Sequence, residues 1–385
     1  MDRKKIVFVI GIYAILIVLV RAEVILNRSI KKIIRIKLNK KMKIKGAGRG
    51  YYLKLPVSIR VDDDGNIYIL DGSSGGWRFY EILKFGKNGR FQKRIVRRGQ
   101  GPGEAVDINN FFIKRKKIYI YDLNMEKMII KNLNGNLIRE FRIKKTELKL
   151  RRRLLISFVS VYNDKFLFRL NLTNFTTKKT SIIYENNFFC VYRNKEWKIN
   201  KVNFLKSIYF IRGTNGVIGI IPIGNLNFDV FKNKYIFINN TSEYSVKLYD
   251  MENDKIMVEF RRKYDRVKKT IYDEKEKGGV MIADKWYYKP HQKYYDDIQK
   301  LLVHGDKLWV ITSTTDKKKG VLTDVFTEKG LFINKFYLKL TNEVDYKKID
   351  NIPMEISGDY LYTVERDKND EPVIIKYKIP NKKKL

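Results

Sequence analysis

Lys117-Ile118-Tyr119-Ile120-Tyr121-Asp122 is a short, nearly continuous apolar run, and the fold turns on how it is read. Related runs stand at Asn66-Ile67-Tyr68-Ile69-Leu70-Asp71, Lys165-Phe166-Leu167-Phe168-Arg169-Leu170 and Lys234-Tyr235-Ile236-Phe237-Ile238-Asn239. Two more follow, Lys307-Leu308-Trp309-Val310-Ile311-Thr312 and Asp359-Tyr360-Leu361-Tyr362-Thr363-Val364. Each follows a turn and reads as a strand covered on both faces, as in sheets stacked against their neighbours. With Ile67, Ile118, Phe166, Tyr235, Leu308 and Tyr360 taken as equivalent, the spacings are 51, 48, 69, 73 and 52. Three of these lie near the length of a four-stranded propeller blade. The two longer ones hold insertions near 203–224 and 264–297.

The first unit shows the pattern of a blade. Val57–Val61, Asn66–Leu70, Glu81–Phe85 and Phe91–Arg97 read as four strands, with hairpin turns at Asp64-Gly65 and Asn88-Gly89. Such pairs tolerate the positive φ that a two-residue hairpin needs. Asn134-Gly135 occupies the matching place in the second unit. The last unit has only three strands, Pro353–Ile356, Tyr360–Glu365 and Val373–Ile379, while Lys31–Lys45 is β-rich and has no unit of its own. Pairing the two ends closes a ring and removes exposed sheet edges. The expectation is an all-β fold: a six-bladed β-propeller of four-stranded antiparallel blades, closed by an N-terminal strand that completes the last blade. It spans residues 31–380 as a single domain, and 381–385 form a polar tail.

Two glycine-rich turns punctuate the start. Gly46-Ala47-Gly48-Arg49-Gly50-Tyr51 is the weaker, and Arg98-Gly99-Gln100-Gly101-Pro102-Gly103-Glu104 the stronger. Alternate glycines with a proline suit a reversing backbone with little room for side chains. Residues 98–104 resemble the hallmark turn of an exported bacterial six-bladed β-propeller family related to NHL-repeat propellers. Tyr294-Tyr295-Asp296-Asp297-Ile298, followed by Leu308-Trp309-Val310, resembles the fifth-blade pattern of that group. The resemblance covers residues 40–380 in round terms and implies a cell-envelope protein. Many relatives carry a lipoprotein cysteine, and here Cys190 is the single cysteine, so a lipid anchor on cysteine is not expected.

Arg3, Lys4 and Lys5 precede the mostly apolar run Ile6–Val20, and Arg21-Ala22-Glu23 follows it. The run is shorter than the roughly 20 residues of a membrane-spanning helix and fits an export signal over residues 1–22. Retained, it would be an N-terminal membrane anchor. Either way the bulk of the chain is expected outside the cytoplasm, in the periplasm or its equivalent.

The formal charge is +38, from 80 basic and 42 acidic residues. Such an excess suits polyanions. The lysines, however, are spread over every segment, so nucleic acid is not the expected partner. Cofactor and metal sites are also not expected. Asp62-Asp63-Asp64-Gly65-Asn66 resembles a calcium loop only at its start, because Ile67 and Ser73 stand where glycine and glutamate are needed. His291 and His304 are the only histidines, too few for a histidine-rich metal centre.

In a propeller, loops joining strands two and three gather on one face with the loops joining blades. They bring there Trp77, Arg78, Gln100, Glu104, Arg212, Tyr244, Trp286, Tyr287, Tyr288 and His291. Aromatic planes beside guanidinium and amide groups suit a peptide, a glycan or a protein partner. The expected role is non-enzymatic recognition at this face. An envelope hydrolase or lyase at the channel mouth is the alternative, and a polyanion binder the second. No catalytic residue is assigned.

Overall fold

The computed structural model describes residues 23–28, 33, 36, 38–72, 80–144, 148, 154–173, 180–212, 218–222, 225–232, 234–270, 279–282, 285–288 and 292–380. Six sheets form the body. Blade one runs Leu55–Val61, Ile67–Gly72, Tyr80–Phe85, Phe91–Arg94. Blade two runs Ile108–Lys114, Lys117–Asp122, Lys127–Asn132, Leu137–Arg142. Blade three has five strands, Leu154–Tyr162, Lys165–Thr173, Thr180–Arg193, Glu196–Arg212 and Ile218–Pro222. Blade four runs Leu226–Phe231, Tyr235–Asn240, Ser245–Asp250, Lys255–Arg262. Blade five runs Ile298–His304, Lys307–Asp316, Gly320–Thr327, Phe332–Leu338. Blade six takes Met354–Ser357, Tyr360–Arg366 and Pro372–Lys378 from the carboxyl end and Asn39–Ile44 from the amino end.

The apolar runs become the second strands of the blades because they are covered on both sides. Every residue of Ile67–Gly72 is buried, as is every residue of Lys117–Asp122 after the first. The core is divided into six clusters, one at each seam. Tyr68 meets Phe111 between blades one and two, Tyr121 meets Phe168 between two and three, and Phe189 meets Tyr249 between three and four. Phe237 and Phe326 share the next seam, Trp309 and Leu361 the one after, and Phe85 and Tyr362 the last. Burying one such ring contributes about 2 kcal/mol over leaving it in water. Six seams for six blades means the ring is shut.

The latch is antiparallel. Asn39 pairs with Lys378, and the register runs to Ile44 opposite Ile374. Gly46 stands two positions on, where a Cβ would lie 2.4 Å from the Pro372 carbonyl oxygen, so the chain passes the last blade only without a side chain.

Within blades, a polar side chain at the end of the second strand, or just past it, holds the segment that enters the first. Asp71 accepts from the amides of Lys54 at 2.9 Å and Leu55 at 2.8 Å. Asp122 accepts from Val106 at 2.5 Å, and the Thr241 hydroxyl from Asn225 at 2.7 Å. Each bond satisfies an amide that leaves one sheet before joining the next.

The two long spacings contain ordered β structure. Residues 203–212 continue the outer strand of blade three, and Ile218–Pro222 folds back on it. The other insertion carries a hairpin, Gly279–Ile282 with Lys285–Tyr288, whose first strand packs near Ile218–Pro222. A further strand, Glu23–Asn27, lies ahead of the expected start at residue 31. It pairs in parallel with Lys255–Arg262 as a fifth strand on blade four. The expected segments 1–22 and 381–385 lie outside the described residues.

Candidate functional site

The turn at residues 98–104 joins blade one to blade two and is occupied with its own support. Glu104 accepts from the Gly101 amide at 3.1 Å, and a Cβ on Gly99 would stand 1.9 Å from that carboxylate. The Gly103 amide donates to Glu140 at 2.7 Å, and the Lys127 ammonium donates to the Gly101 carbonyl at 3.2 Å. Gly103 has φ +72°, which favours glycine. Glu104 is therefore a brace of the connection, while Gln100 beside it is exposed to solvent.

Tyr244 is interior. Its hydroxyl donates to Asp324 of blade five, which also accepts from Arg262 at 2.6 Å and 3.0 Å. The Arg262 guanidinium lies 4.9 Å from the Tyr244 ring and 5.3 Å from Phe332. Burial pushes the Asp324 carboxyl up, against the pull of Arg262. The group clamps blade four to blade five and leaves Tyr244 little surface for a ligand.

Arg212 ends the long outer strand of blade three and pairs with Ile218; Trp286, Tyr287 and Tyr288 lie in the insertion hairpin. These elements neighbour each other through Ile218–Pro222 and Gly279–Ile282. Trp77, Arg78 and His291 lie outside the described residues. His304 is buried, with its ring edge-on to Trp309 at 5.3 Å. Asp62 is bound up in its hairpin, accepting from the amides of Asp64 and Asn66 and from the Tyr68 hydroxyl.

The stronger constellation lies on the axis. The innermost strands enclose a cavity of about 420 Å³ whose polar lining includes Arg60, Asn110, Asn227, Asp229, Lys300 and Glu355. These come from blades one, two, four, five and six. Four of the six innermost strands also shift register against their second strands, and Asn110 and Lys300 stand at two of these shifts. Arg60 pairs with Glu355 at 3.2 Å, joining blades one and six. Lys300 donates to the Ile352 carbonyl at 2.7 Å, joining five and six. Asp229 accepts from the amides of Val303 at 2.7 Å and Val230 at 2.8 Å. Asn110 donates to the Phe158 carbonyl at 3.0 Å, and Asn227 to the Gln299 carbonyl at 2.8 Å.

Four of the five charged lining residues, Arg60, Asp229, Lys300 and Glu355, are half-buried and walled by strands, while Lys232 is exposed at the edge. Enclosure raises the Glu355 carboxyl to about 7, although Arg60 pulls it down. It raises Asp229 to about 6, against the two amides it accepts from. It lowers the Lys300 ammonium to about 8, with Asp350 and Asp229 opposing. Two carboxyls and an ammonium thus titrate near neutrality in one cavity. Reading for loops missed this set. The available signal was a polar residue inside each first strand, a few positions ahead of the apolar repeat.

Residues 37–209 match the model of a family described as TolB-like 6-blade propeller-like, a more specific label than the NHL relation drawn from the turn. A DUF4221 family member from Bacteroides vulgatus shares the fold at TM-score 0.54 and 14% identity, over 90% of this chain and 99% of that one. BF0058 from Bacteroides fragilis NCTC 9343 aligns at TM-score 0.49 and 14% identity, over 93% and 100%. The β-propeller domain of the trilobed protease from Pyrococcus furiosus aligns at TM-score 0.41 and 10% identity, over 84% and 83%. No curated protein matches the sequence.

Proposed function

We propose that the chain is an extracytoplasmic recognition propeller that admits a small ligand bearing both charge signs to its axial cavity. The observation that carries this reading is the quartet Arg60, Asp229, Lys300 and Glu355 around a cavity of about 420 Å³. That volume lies in the range of small-molecule sites. The alternation of cations and carboxylates complements a zwitterion such as an amino acid or short peptide. Each charge is held by a bond within its own blade or to the neighbouring one, so it is placed before a ligand arrives. The lining runs out to Lys232, in the hairpin between the first and second strands of blade four, which marks one mouth of the cavity. Export rests on the basic start and the apolar run Ile6–Val20, which serves as a signal or a retained membrane tether.

The test is a thermal-shift panel of free amino acids and dipeptides on the purified chain. At least one compound is expected to raise Tm in wild type and to lose that effect in Asp229→Asn and Lys300→Met. Gln100→Ala should retain most of it. A panel without any shift, or shifts that survive both axial variants, would overturn the reading.

One observation favours hydrolase or lyase chemistry instead. Glu355 titrates at about 7, where a carboxyl can both give and take a proton. Under that reading Glu355→Gln removes turnover of the bound compound while leaving its affinity within a few-fold. Binding of heparin or DNA through the +38 charge would fall steeply with salt.

A further inference from the structure

We propose that the seam between blades three and four holds a second binding site, one that takes a small hydroxylated carboxylic acid. It is built on Arg169, Asn171, Glu185, Asn187 and Lys206, none of which lines the axial cavity. In the fifth place of the apolar repeat the other five runs carry Leu70, Tyr121, Ile238, Ile311 and Thr363, all of them buried. Blade three alone has a charge in that place, Arg169.

Register sets these side chains on one face of the sheet. Asn171 stands opposite Asn187, and Glu185 opposite Lys206. Arg169 and Asn171 alternate along one strand, as do Glu185 and Asn187 along the next, so all five point the same way. That way is toward blade four. Leu167 and Phe189, the next residues on this face, pack into the apolar cluster of the seam. The Arg169 guanidinium lies 5.5 Å from the centre of the Phe228 ring, which belongs to blade four. Along the strands of blade three the seam therefore passes from apolar to polar. Phe228 also lines the axial cavity, so the two sites adjoin without sharing a charged group.

The hydrogen bonds within the cluster define what it can still take. The Asn171 amide nitrogen donates to the Glu185 carboxylate at 3.1 Å, and that of Asn187 to the Glu185 carbonyl at 3.2 Å. Both partners are acceptors, which fixes each amide's orientation and directs its own Oδ1 elsewhere. Both Oδ1 atoms and the Arg169 Nε are buried without a partner among the described residues. Asn187 is 1% exposed, which keeps its oxygen from bulk water. Two cations stand against one carboxylate, and burial lowers the pKa of both Arg169 and Lys206 with Glu185 opposing. Enclosed cations and acceptors are costly until they are met. The complementary ligand brings one negative charge to Arg169 and Lys206, and hydroxyl donors to the two amide oxygens. A bare anion meets only the cations, and a neutral polyol only the oxygens. Arg169, Asn171 and Lys206 are half-buried, so the cluster has a side open to a small solute.

The experiment titrates the full chain with gluconate by isothermal calorimetry, with acetate and sorbitol standing for its two halves. Gluconate is expected to bind, and acetate and sorbitol to bind far more weakly. Arg169→Met and Lys206→Met keep the bulk and remove the charge, and each should weaken gluconate by about tenfold. Asp229→Asn on the axis should leave gluconate binding unchanged, which separates this site from the axial one. Melting of the unliganded protein gives a readout that a purely structural cation would move the other way. Arg169→Met should match or exceed wild type in Tm, because it removes a charge from an enclosed position. No binding of gluconate, or an equal response to acetate, would overturn the proposal. So would binding that survives both charge-removing variants, binding lost in Asp229→Asn, or a marked fall in Tm of unliganded Arg169→Met.

Discussion

At the scale of single residues, Gly99 and Glu104 depend on each other. The carboxylate occupies the space a side chain at 99 would need, and from there it accepts the Gly101 amide. Gly99→Ala should push Glu104 away and lose that bond, costing about 1 kcal/mol. In a Glu104→Ala background the same change should cost much less, because the obstacle is gone. Urea unfolding of the four proteins in this cycle measures the coupling. Additive losses would mean that the turn does not rest on this contact. The glycines were legible in sequence as a turn, but the function of Glu104 was not, since nothing in a hexapeptide shows where its carboxylate folds back. Arg115-Lys116 and Asn163-Asp164 were equally silent. They adopt positive φ in tight hairpins without glycine, under the constraint of the strands on either side.

At the scale of elements, the two amino-terminal strands carry different loads. Asn39–Ile44 completes a blade and ends in Ile44, which is 4% exposed within the last seam. Glu23–Asn27 adds a fifth strand to a blade that already has four. Truncation to begin at residue 29 should leave a soluble protein with a slightly lowered Tm. Truncation to begin at residue 46 should give aggregation or loss of the cooperative transition, because an apolar edge and half a seam are left open. Equal behaviour of the two truncations, followed by circular dichroism and size exclusion, would contradict this assignment. The closing strand was legible because the last unit lacked one. The extra strand was not: five residues in parallel pairing have no turn to mark them, and their partner lies more than 200 residues away.

At the scale of the whole molecule, the blade count was legible because each unit repeats one apolar strand that must be covered twice. The axial set was not, because its charged members Arg60, Asp229, Lys300 and Glu355 stand one to a strand in separate units. An isolated polar residue in a strand reads as a solvent-facing position, and only ring closure brings these onto one cavity. Their shared enclosure has a pH consequence. Glu355 and Asp229 titrate at about 7 and about 6 when folded, above the ordinary 4.5 and 3.8. Between those limits the folded state holds protons that the unfolded state has released, so stability falls as pH rises. The loss begins near 4 and is complete above 7. Relative to Glu355→Gln, wild type should therefore lose urea resistance between pH 4.5 and 7 and then run level. A difference that grew with pH would reverse the sign and refute the enclosure.

Everything on the axis presumes that the ends of the chain meet. Asn39 and Lys378 face each other across the latch, and opposed residues in an antiparallel pair lie close enough for a disulfide. The decisive measurement is oxidation of Asn39→Cys/Lys378→Cys, read on a denaturing gel and by melting. The account predicts near-complete formation of one intramolecular bond, faster migration without reductant, and a Tm above that of the reduced form. Two thiols that stay free under oxidation, or a bond that forms and lowers Tm, would contradict it.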